Sequence, residues 1–492
     1  DPEISGDAWR TKWRERLDRA TPFAALWLEH QRRDTYWEHG SVCGDLTTIE
    51  CPVYAIGGWA DAYSNAVPRL VAGLKGARKG LVGPWSHMFP HDGIPGPEIG
   101  FLQEAVRWWD HWLKGIDTGI MDEPVYRVWM QESVPPAPQY THRPGRWVAE
   151  DGWPSPRIET RRLALNAGAL AEQAEPEVGL DISSPQTTGI HGGAWCAFGS
   201  EGEMPTDQRP DDGRSLTFDT APLDEKLEIL GAPVVSLDLA LDRPLGMVAV
   251  RLNDVAGDGT STRVTYGLLN LSHRDSHRDP TPLSAGKRYR VRIALNDIAH
   301  AFPAGHSIRV AISTSYWPIA WPAPEPAVLT VFTGTSTLDL PVRPLRDDDA
   351  GLRPFSSPEA AAGDTATKLR GLNFVREVNR DLTTNETIYR LHSDAGELDG
   401  AALARIDAID LEIGKKFEKA YKISDTDPLS AQVENSYITS FRRGDWYVRV
   451  EVHTRLSCTE GTFEYFASLD AYEDDRHVFT RQWDLPIPRD LV

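Results

Sequence analysis

Two short apolar segments near the start of the chain each end in a turn that carries an ionisable side chain. Residues 53–61 read VYAIGGWAD and end at Asp61, and residues 79–87 read KGLVGPWSH and end at His87. The interval between them leaves room for one crossover helix, predicted at about residues 64–74, so the two segments are expected to be neighbouring parallel strands. Because such strands end at the same sheet edge, we predict that Asp61 and His87 lie within hydrogen-bonding reach, about 2.6–3.2 Å.

An acid after one strand and a histidine after the next follow the chain order Ser…Asp…His of α/β-hydrolases. In those sites the histidine takes the proton of the nucleophilic hydroxyl, and the carboxylate fixes the tautomer of the histidine. The serine would lie upstream of Asp61 in a G-x-S-x-G turn, but the 492 residues contain no such turn. We therefore expect the C-terminal part of a serine hydrolase whose nucleophile lies in a missing upstream segment.

Other interpretations of these residues stay open. Asp61 could cap the helix that follows it, and a histidine near a helix start is usually a satisfied polar group. His91, in a loop rich in proline and glycine, and His111, on a helix, are weaker candidates because neither follows a strand. Neither a metal nor a cofactor is predicted, since His87, His91 and Asp92 have no matching ligand cluster elsewhere in the sequence.

The hydroxyls nearest to the predicted pair belong to Ser64 and Ser86, and neither lies in a G-x-S-x-G turn. A general base without an activated hydroxyl gives little acyl transfer. The chain alone is therefore expected to hydrolyse p-nitrophenyl esters at a rate near background.

Charge and composition exclude several classes of protein. The 52 basic and 72 acidic residues give a net charge of −20, which argues against binding to nucleic acid or to anionic membranes. No apolar run approaches the ~18 residues of a membrane span, and the first residues show neither a signal peptide nor an initiator Met, which suits a processed product or a fragment. The scattered cysteines are typical of thiols in a reducing compartment, so a cytoplasmic location is expected.

The first two thirds of the chain change from a helical pattern to an α/β pattern and then to a β-rich one. Residues 1–48 repeat apolar side chains at helical spacing. Residues 49–146 alternate strands with helices, the longest of them at about residues 100–114. Residues 147–345 contain many short strands separated by turns, which is typical of a jelly roll.

The last third is predicted to be a separate β-rich domain. Residues 346–369 are rich in Asp, Gly, Pro, Ser and Ala and are interpreted as a linker. Residues 370–492 end in four strand-like runs joined by short polar turns, which predicts an antiparallel meander. A helix is expected before it, at about residues 403–421.

Two motifs resemble those of a known family. The segments GGWADAY at residues 57–63 and GPWSH at residues 83–87 resemble the acid and histidine motifs of the CocE/NonD hydrolases, which are cocaine-esterase-like relatives of X-Pro dipeptidyl-peptidases. Further segments are similar to the end of that family's cap, at 28–37, and to its jelly roll, at 251–259, 267–274, 303–309 and 313–326. The likeness covers roughly residues 5–345 in order, and the rest looks like an extension.

The resemblance implies the C-terminal part of an α/β-hydrolase with a helical cap remnant, followed by a β jelly roll and a β-rich C-terminal domain. It implies hydrolysis of acyl ester or amide bonds, with His87 as general base and then acid and Asp61 orienting it. The family's nucleophilic serine and oxyanion donors lie in a portion that this chain lacks. The expected partners are therefore that preceding segment of the same protein and a small-molecule ester or peptide substrate.

Four tryptophans are candidate substrate contacts. Trp59 and Trp85 flank the predicted acid and histidine, and Trp317 and Trp321 lie in a loop stiffened by prolines. The last two could equally seal the seam between the jelly roll and the hydrolase part.

Two alternatives concern the β-rich part. Asp254 and Asp258 could suggest a calcium loop, but a hairpin turn explains Asp258-Gly259 better. The rival function is a non-catalytic binding module in which the jelly roll and the meander hold carbohydrate or a protein partner.

Overall fold

Short helices form the start of the chain in the computed structural model, which describes residues 1–361, 363, 365–394 and 404–492. They are α1 (Pro2–Ser5), α2 (Trp9–Asp18), α3 (Phe23–Glu29) and α4 (Thr35–His39), with 3₁₀ turns at Gly6–Ala8, Val42–Gly44 and Leu46–Thr48. Leu17 of α2 is buried against Leu469, Ala471 and Phe479, since tertiary packing of an apolar face stabilises a short helix. The predicted helical start is confirmed, and its assignment as a cap remnant stays a prediction.

The described residues divide into two compact units. The larger unit contains residues 37–321 and 327–359, and the smaller one contains residues 1–36, 322–326 and the described part of 360–492. The domain boundaries predicted near residues 48, 146, 345 and 369 stay predictions. Among the described residues, no helix has the length and apolar character needed to cross a membrane.

The larger unit begins with three parallel strands and two helices. In chain order these are β1 (Val53–Gly58), α5 (Ala66–Gly73), β2 (Arg78–Gly83), α6 (Phe101–Lys114) and β3 (Tyr126–Glu132). β2 pairs in parallel with both β1 and β3, and β4 (Gly145–Glu150) pairs antiparallel with β3. Val67 and Val71 of α5 join the core beneath the sheet. The predicted strands and crossover helix are confirmed. The strands are apolar because parallel strands are usually buried on both faces.

Helix α6 has one buried and one exposed apolar side. On the buried side, the ring centroid of Trp108 lies 5.4 Å from that of Tyr54 on β1. Four apolar side chains, here called the α6 stripe, are between 41% and 75% exposed at successive four- and three-residue intervals: Leu102, Val106, Trp109 and Leu113. The helix ends as predicted after Lys114, and Gly115 follows with a φ of 68°, a conformation that glycine adopts without a Cβ clash.

The rest of the larger unit is β-rich, as predicted. Its strands are β5 (Glu159–Asn166), β6 (Ala169–Ala171), β7 (Gly179–Ile182), β8 (Leu216–Asp219), β9 (Leu227–Gly231), β10 (Val234–Leu241), β11 (Met247–Val255), β12 (Ser261–Asn270), β13 (Arg288–Ala294), β14 (Ile298–Phe302), β15 (Ser307–Ser313) and β16 (Leu329–Val342), with a short helix α7 at Arg209–Asp212. β14 pairs in parallel with β3, which joins these strands to the parallel part in one hydrogen-bonded sheet. Leu237, Val250 and Ile312 are among the side chains fully buried in the core.

In the described part of the smaller unit, nine strands form an antiparallel sheet. Its strands are β17 (Ala366–Lys368), β18 (Asn373–Arg380), β19 (Glu386–Asp394), β20 (Ala404–Ile406), β21 (Leu411–Ser424), β22 (Asp427–Arg443), β23 (Trp446–Cys458), β24 (Thr462–Glu473) and β25 (Arg476–Pro488). The predicted four-stranded meander is confirmed as β22–β25.

The helix predicted at about residues 403–421 is wrong. Residue 403 lies outside the described residues, and those that follow form β20 and β21. β21 pairs with β22 along most of its length, from Glu412 opposite Arg442 to Ser424 opposite Asp427. Pairing with a neighbouring strand therefore overrides the helix-like spacing of the apolar and charged residues in this segment.

Candidate active site

Asp61 and His87 follow the ends of β1 and β2 in two turns that are hydrogen-bonded to each other. The backbone N–H of Trp59 donates to the carbonyl oxygen of Gly83 at 2.9 Å, and that of Ala60 donates to Trp85 at 3.1 Å. Glycine is required at Gly58, since a Cβ there would lie 2.0 Å from the carbonyl oxygen of Trp85. The glycine turn after β1 therefore lets the two strand ends approach closely.

The two side chains meet as the sequence predicts. Nδ1 of His87 lies 3.0 Å from Oδ2 of Asp61, and the other carboxylate oxygen accepts the backbone N–H of Tyr63 at 3.1 Å. The carboxylate is 12% exposed, while the imidazole is 45% exposed. The arrangement holds the acid in place and leaves one side of the imidazole open, which suits proton transfer to and from a bound molecule.

A loop that the sequence analysis did not single out packs against His87. The backbone N–H of His87 donates to the carbonyl oxygen of Ala197 at 2.7 Å. The ring of Phe198 lies edge-on to the imidazole at 5.2 Å, and that of Tyr63 lies 5.6 Å away. Cys196 in the same loop has a free thiol, whose pKa is raised by burial. The run Trp-Cys-Ala-Phe at residues 195–198, set among glycines, was the signal available in the sequence.

A cleft of about 440 Å³ lies beside Asp61. The polar and charged side chains that line it include Asn65, Arg69, Gln131, Tyr140, Arg143, Glu203, Arg263, Asn296, Asp297 and His300. Its volume is in the range of small-molecule sites. The cleft can therefore hold a small molecule beside Asp61, and His87 is not among the residues that line it.

Asp297 is the most perturbed carboxyl group in this cleft. Burial raises its pKa to about 6, opposed by the charge of Arg69. Its backbone N–H donates to Oδ1 of Asn65 at 2.7 Å, and the amide nitrogen of Asn65 donates to Oδ1 of Asn296 at 2.8 Å. The backbone of Asp297 is thus held by Asn65 at the start of α5 in the parallel part, although Asp297 itself lies between two strands of the β-rich part.

Asp254 is a buried acceptor for two histidines. Its carboxylate oxygens lie 3.1 Å from Nε2 of His300 and 2.7 Å from Nδ1 of His306. Burial opposes its ionisation, but hydrogen bonds from His300, Ser133 and His306 hold the pKa of Asp254 below its usual value. Gly259, with a φ of 84°, lies in the hairpin turn between β11 and β12. The sequence also favours such a turn over a calcium-binding loop at this position.

The four tryptophans predicted to contact substrate have different surroundings. Trp59 lines the cleft and donates its Nε1–H to the carbonyl oxygen of Trp129 at 2.8 Å. Trp85 is buried and donates to Pro97, and Trp317 is buried with its ring 5.6 Å from Trp321. Their role in substrate binding stays a prediction.

The weaker candidates and the two nearby serines make other contacts. His91 stacks on Phe101, and His111 lies on α6. Ser64 and Ser86 are both buried, and Oγ of Ser86 donates to the carbonyl oxygen of Ile94 at 2.6 Å.

Comparisons with known proteins identify the family to which the chain is similar. Residues 4–89 match the family described as X-Pro dipeptidyl-peptidase (S15 family), and residues 118–348 match the X-Pro dipeptidyl-peptidase C-terminal non-catalytic domain. The chain belongs to the family of X-Pro dipeptidyl-peptidases and cocaine-esterase-like (CocE/NonD) hydrolases. The resemblance drawn from the sequence motifs is confirmed.

Two curated relatives illustrate the similarity. A Mycobacterium bovis protein whose name describes it as a candidate serine esterase is 28% identical over 342 residues, which are 62% of this chain and 51% of that protein. The cocaine esterase of Rhodococcus sp. (strain MB1 Bresler) is 23% identical over 316 residues, which are 59% of this chain and 53% of that protein. The chain spans about half the length of the curated relatives it matches.

A solved structure shares the fold. The aminopeptidase of a marine sediment archaeon (Thaumarchaeota archaeon) superposes with a TM-score of 0.54 and 18% sequence identity, covering 67% of this chain and 62% of that one. At this identity the likeness concerns the fold alone.

Proposed function

We propose that the chain supplies the acid and the histidine of a serine hydrolase that cleaves acyl ester or amide bonds. The observation that carries the proposal is the 3.0 Å contact between Nδ1 of His87 and Oδ2 of Asp61, after the ends of β1 and β2. With Nδ1–H donated to the carboxylate, Nε2 is the ring nitrogen left to accept a proton. The half-exposed imidazole makes that nitrogen accessible.

In the proposed reaction, a serine oxygen attacks the acyl carbon while its proton moves to Nε2 of His87. Asp61 stabilises the resulting imidazolium, which then protonates the leaving alcohol or amine. A water molecule repeats the sequence on the acyl-serine, releases the acid and regenerates the hydroxyl. At the end of the cycle, Asp61 and His87 have both returned to their starting protonation states.

The serine would come from a preceding segment that pairs with β1 and covers the α6 stripe. Among the described strands, β1 pairs only with β2, and parallel sheets are normally covered on both faces. The α6 stripe is an exposed apolar surface of the kind that marks an interface. An unpaired strand edge beside an uncovered helix face fits the docking of further strands and helices.

The substrate would occupy the cleft beside Asp61. The cleft combines the walls of Trp59 and Tyr140 with the charged side chains of Arg69, Arg143 and Asp297. Relatives are named for both ester and X-Pro peptide substrates, so the two substrate classes are tested side by side.

The test is hydrolysis of p-nitrophenyl acetate and of Gly-Pro p-nitroanilide. We expect the chain alone to act near background, and a longer polypeptide that carries the preceding residues of the reading frame to turn over at least one substrate. In that polypeptide, His87→Ala and Asp61→Asn should each lower kcat by about 10³–10⁴-fold, whereas His111→Ala should leave it unchanged. Full activity of the His87→Ala variant would contradict the proposal.

A second function is favoured by the description of the matched domain at residues 118–348 as non-catalytic. If the longer polypeptide is inactive on both substrates while the chain binds an oligosaccharide or a protein, a binding module is the correct interpretation. A robust rate of the chain alone that vanished on Ser64→Ala or Ser86→Ala would instead identify a nucleophile within the chain.

A further inference from the structure

Three side chains of the types that bind transition metals converge at the candidate active site. They are Asp61 after β1, His87 after β2 and Cys196 in the loop that packs against His87. One ligand atom from each, a carboxylate oxygen, a ring nitrogen and the thiol sulfur, lies within 4.8 Å of the other two. The three residues come from separate segments, so their proximity is a product of the fold.

Main-chain hydrogen bonds hold each of the three segments. The backbone N–H of Asp61 donates to Gly58 at 3.3 Å, and that of His87 donates to Ala197 at 2.7 Å. On the other side of Cys196, the N–H of Phe198 donates to Oε2 of Glu203 at 2.7 Å. The backbone positions of the three residues are therefore held, so that only their side chains need to move to bind an ion, which limits the conformational cost.

We propose that Asp61, His87 and Cys196 bind a zinc ion, with solvent as the fourth ligand. Carboxylate, imidazole and thiolate are the donors that Zn²⁺ uses in proteins, whereas Mg²⁺ and Ca²⁺ take oxygen ligands. Metal–donor bonds of about 2.0–2.3 Å place the donors of a tetrahedral site roughly 3.3–3.8 Å apart. Side-chain rotations that shorten the distances by about 1 Å are enough to reach that geometry.

The ion would bind without oxidation or reduction. The thiol of Cys196 gives its proton to solvent as the Zn–S bond forms, the imidazole donates a lone pair from one ring nitrogen, and the carboxylate of Asp61 binds through one oxygen. The open side of the imidazole leaves room for the coordinated water. This site is exposed enough for metal exchange with solvent.

Bound zinc would occupy both side chains that proposed hydrolysis requires. Metal binding and catalysis should therefore exclude each other, and a chelator should restore activity to a zinc-inhibited enzyme. This consequence rests on the proposed function, whereas the metal site itself does not.

The experiment is a titration of the chain, as it stands, with Co²⁺ as a spectroscopic probe and then with Zn²⁺ as a competitor. We expect a thiolate-to-cobalt absorption band that Zn²⁺ removes. Cys196→Ser should abolish the band and weaken zinc binding at least tenfold, and Asp61→Asn should weaken zinc binding while keeping the band. Cys51→Ser, which changes an exposed cysteine, is the matched control and should bind like the parent chain.

Absence of the band in the parent chain, or its survival in Cys196→Ser, would overturn the zinc site. If the band appears but the longer polypeptide has no hydrolase activity, the zinc site stands and the proposed function fails. If hydrolysis depends on His87 and no band appears, the zinc proposal alone fails. Circular dichroism of each variant separates the loss of a ligand from a loss of fold.

Discussion

The parallel part of the larger unit, from β1 to β3, and its β-rich part, from β5 to β16, differ in how much of their apolar surface they cover. The β-rich part buries Leu237, Val250 and Ile312 completely. The parallel part leaves β1 paired on one side among the described strands, and it exposes the α6 stripe. The catalytic candidates Asp61 and His87 belong to the part whose surface is less covered.

This difference shows which properties of the chain depend on a partner. Stability from the hydrophobic effect scales with the apolar area removed from water, so the β-rich part supplies it from its own side chains. The α6 stripe could stabilise the protein in the same way only when another segment covers it. Substitutions in the β-rich core should therefore lower the stability of the chain alone. Substitutions in the α6 stripe should have a marked effect only when that segment is present.

The largest effect on the chain alone is expected in the core of the β-rich part. Leu237→Ala on β10 removes a fully buried side chain and should destabilise the larger unit by about 2–5 kcal/mol, because it leaves a cavity. Urea unfolding followed by tryptophan fluorescence measures the change. Leu268→Ala on β12, where the leucine is 37% exposed, is the control, and an equal loss in both variants would contradict the comparison.

A smaller, pH-dependent effect is expected at Asp297, where the two parts meet. Burial raises the pKa of this carboxyl group to about 6 from the ordinary value of 3.8. The folded protein therefore holds this proton more strongly than the unfolded chain, so stability from this group falls as the pH rises from about 4 to about 6.

Asp297→Asn removes the cost of ionising a buried carboxyl group. The variant should therefore become more stable than the parent chain as the pH rises from about 4 to about 6. The gain should be on the order of 3 kcal/mol at pH 7 and should vanish near pH 4. Urea midpoints measured from pH 4 to pH 7 report the difference. The control is Asp279→Asn, at an exposed position, and a difference for Asp297→Asn that did not change with pH would contradict the assignment.

The smallest effect on the chain alone is expected in the α6 stripe. Leu113 is 75% exposed, so Leu113→Ser should change the free energy of unfolding by less than about 0.5 kcal/mol. The same variant should weaken the recovery of hydrolase activity when the nucleophile segment is added in trans. A loss of more than about 1 kcal/mol in the chain alone would mean that the stripe is already covered.

Local sequence patterns predicted the elements that bring the catalytic candidates together. The apolar runs that became β1 and β2, the crossover helix α5 and the bounds of α6 each follow from neighbouring residues. Asp61 and His87 could be paired from the sequence because both come directly after parallel strands, and the 3.0 Å contact agrees with that reasoning.

Features that depend on distant segments could not be predicted in this way. β21 has residue spacing that resembles a helix, and its pairing with β22 decides its conformation. Cys196 reaches the site through an irregular loop, and the backbone N–H of Asp297 donates to Asn65 of a distant turn. Neither position has a periodic pattern or a strand-end motif that would reveal its neighbours.

Labelling by a fluorophosphonate probe tests the central claim most directly. The longer polypeptide, or the chain with the preceding segment added in trans, should be labelled on a serine of that segment, as located by mass spectrometry. His87→Ala should abolish the labelling, because the serine loses its general base. Labelling of Ser64 or Ser86 in this chain, or labelling that persists in the His87→Ala variant, would contradict the account.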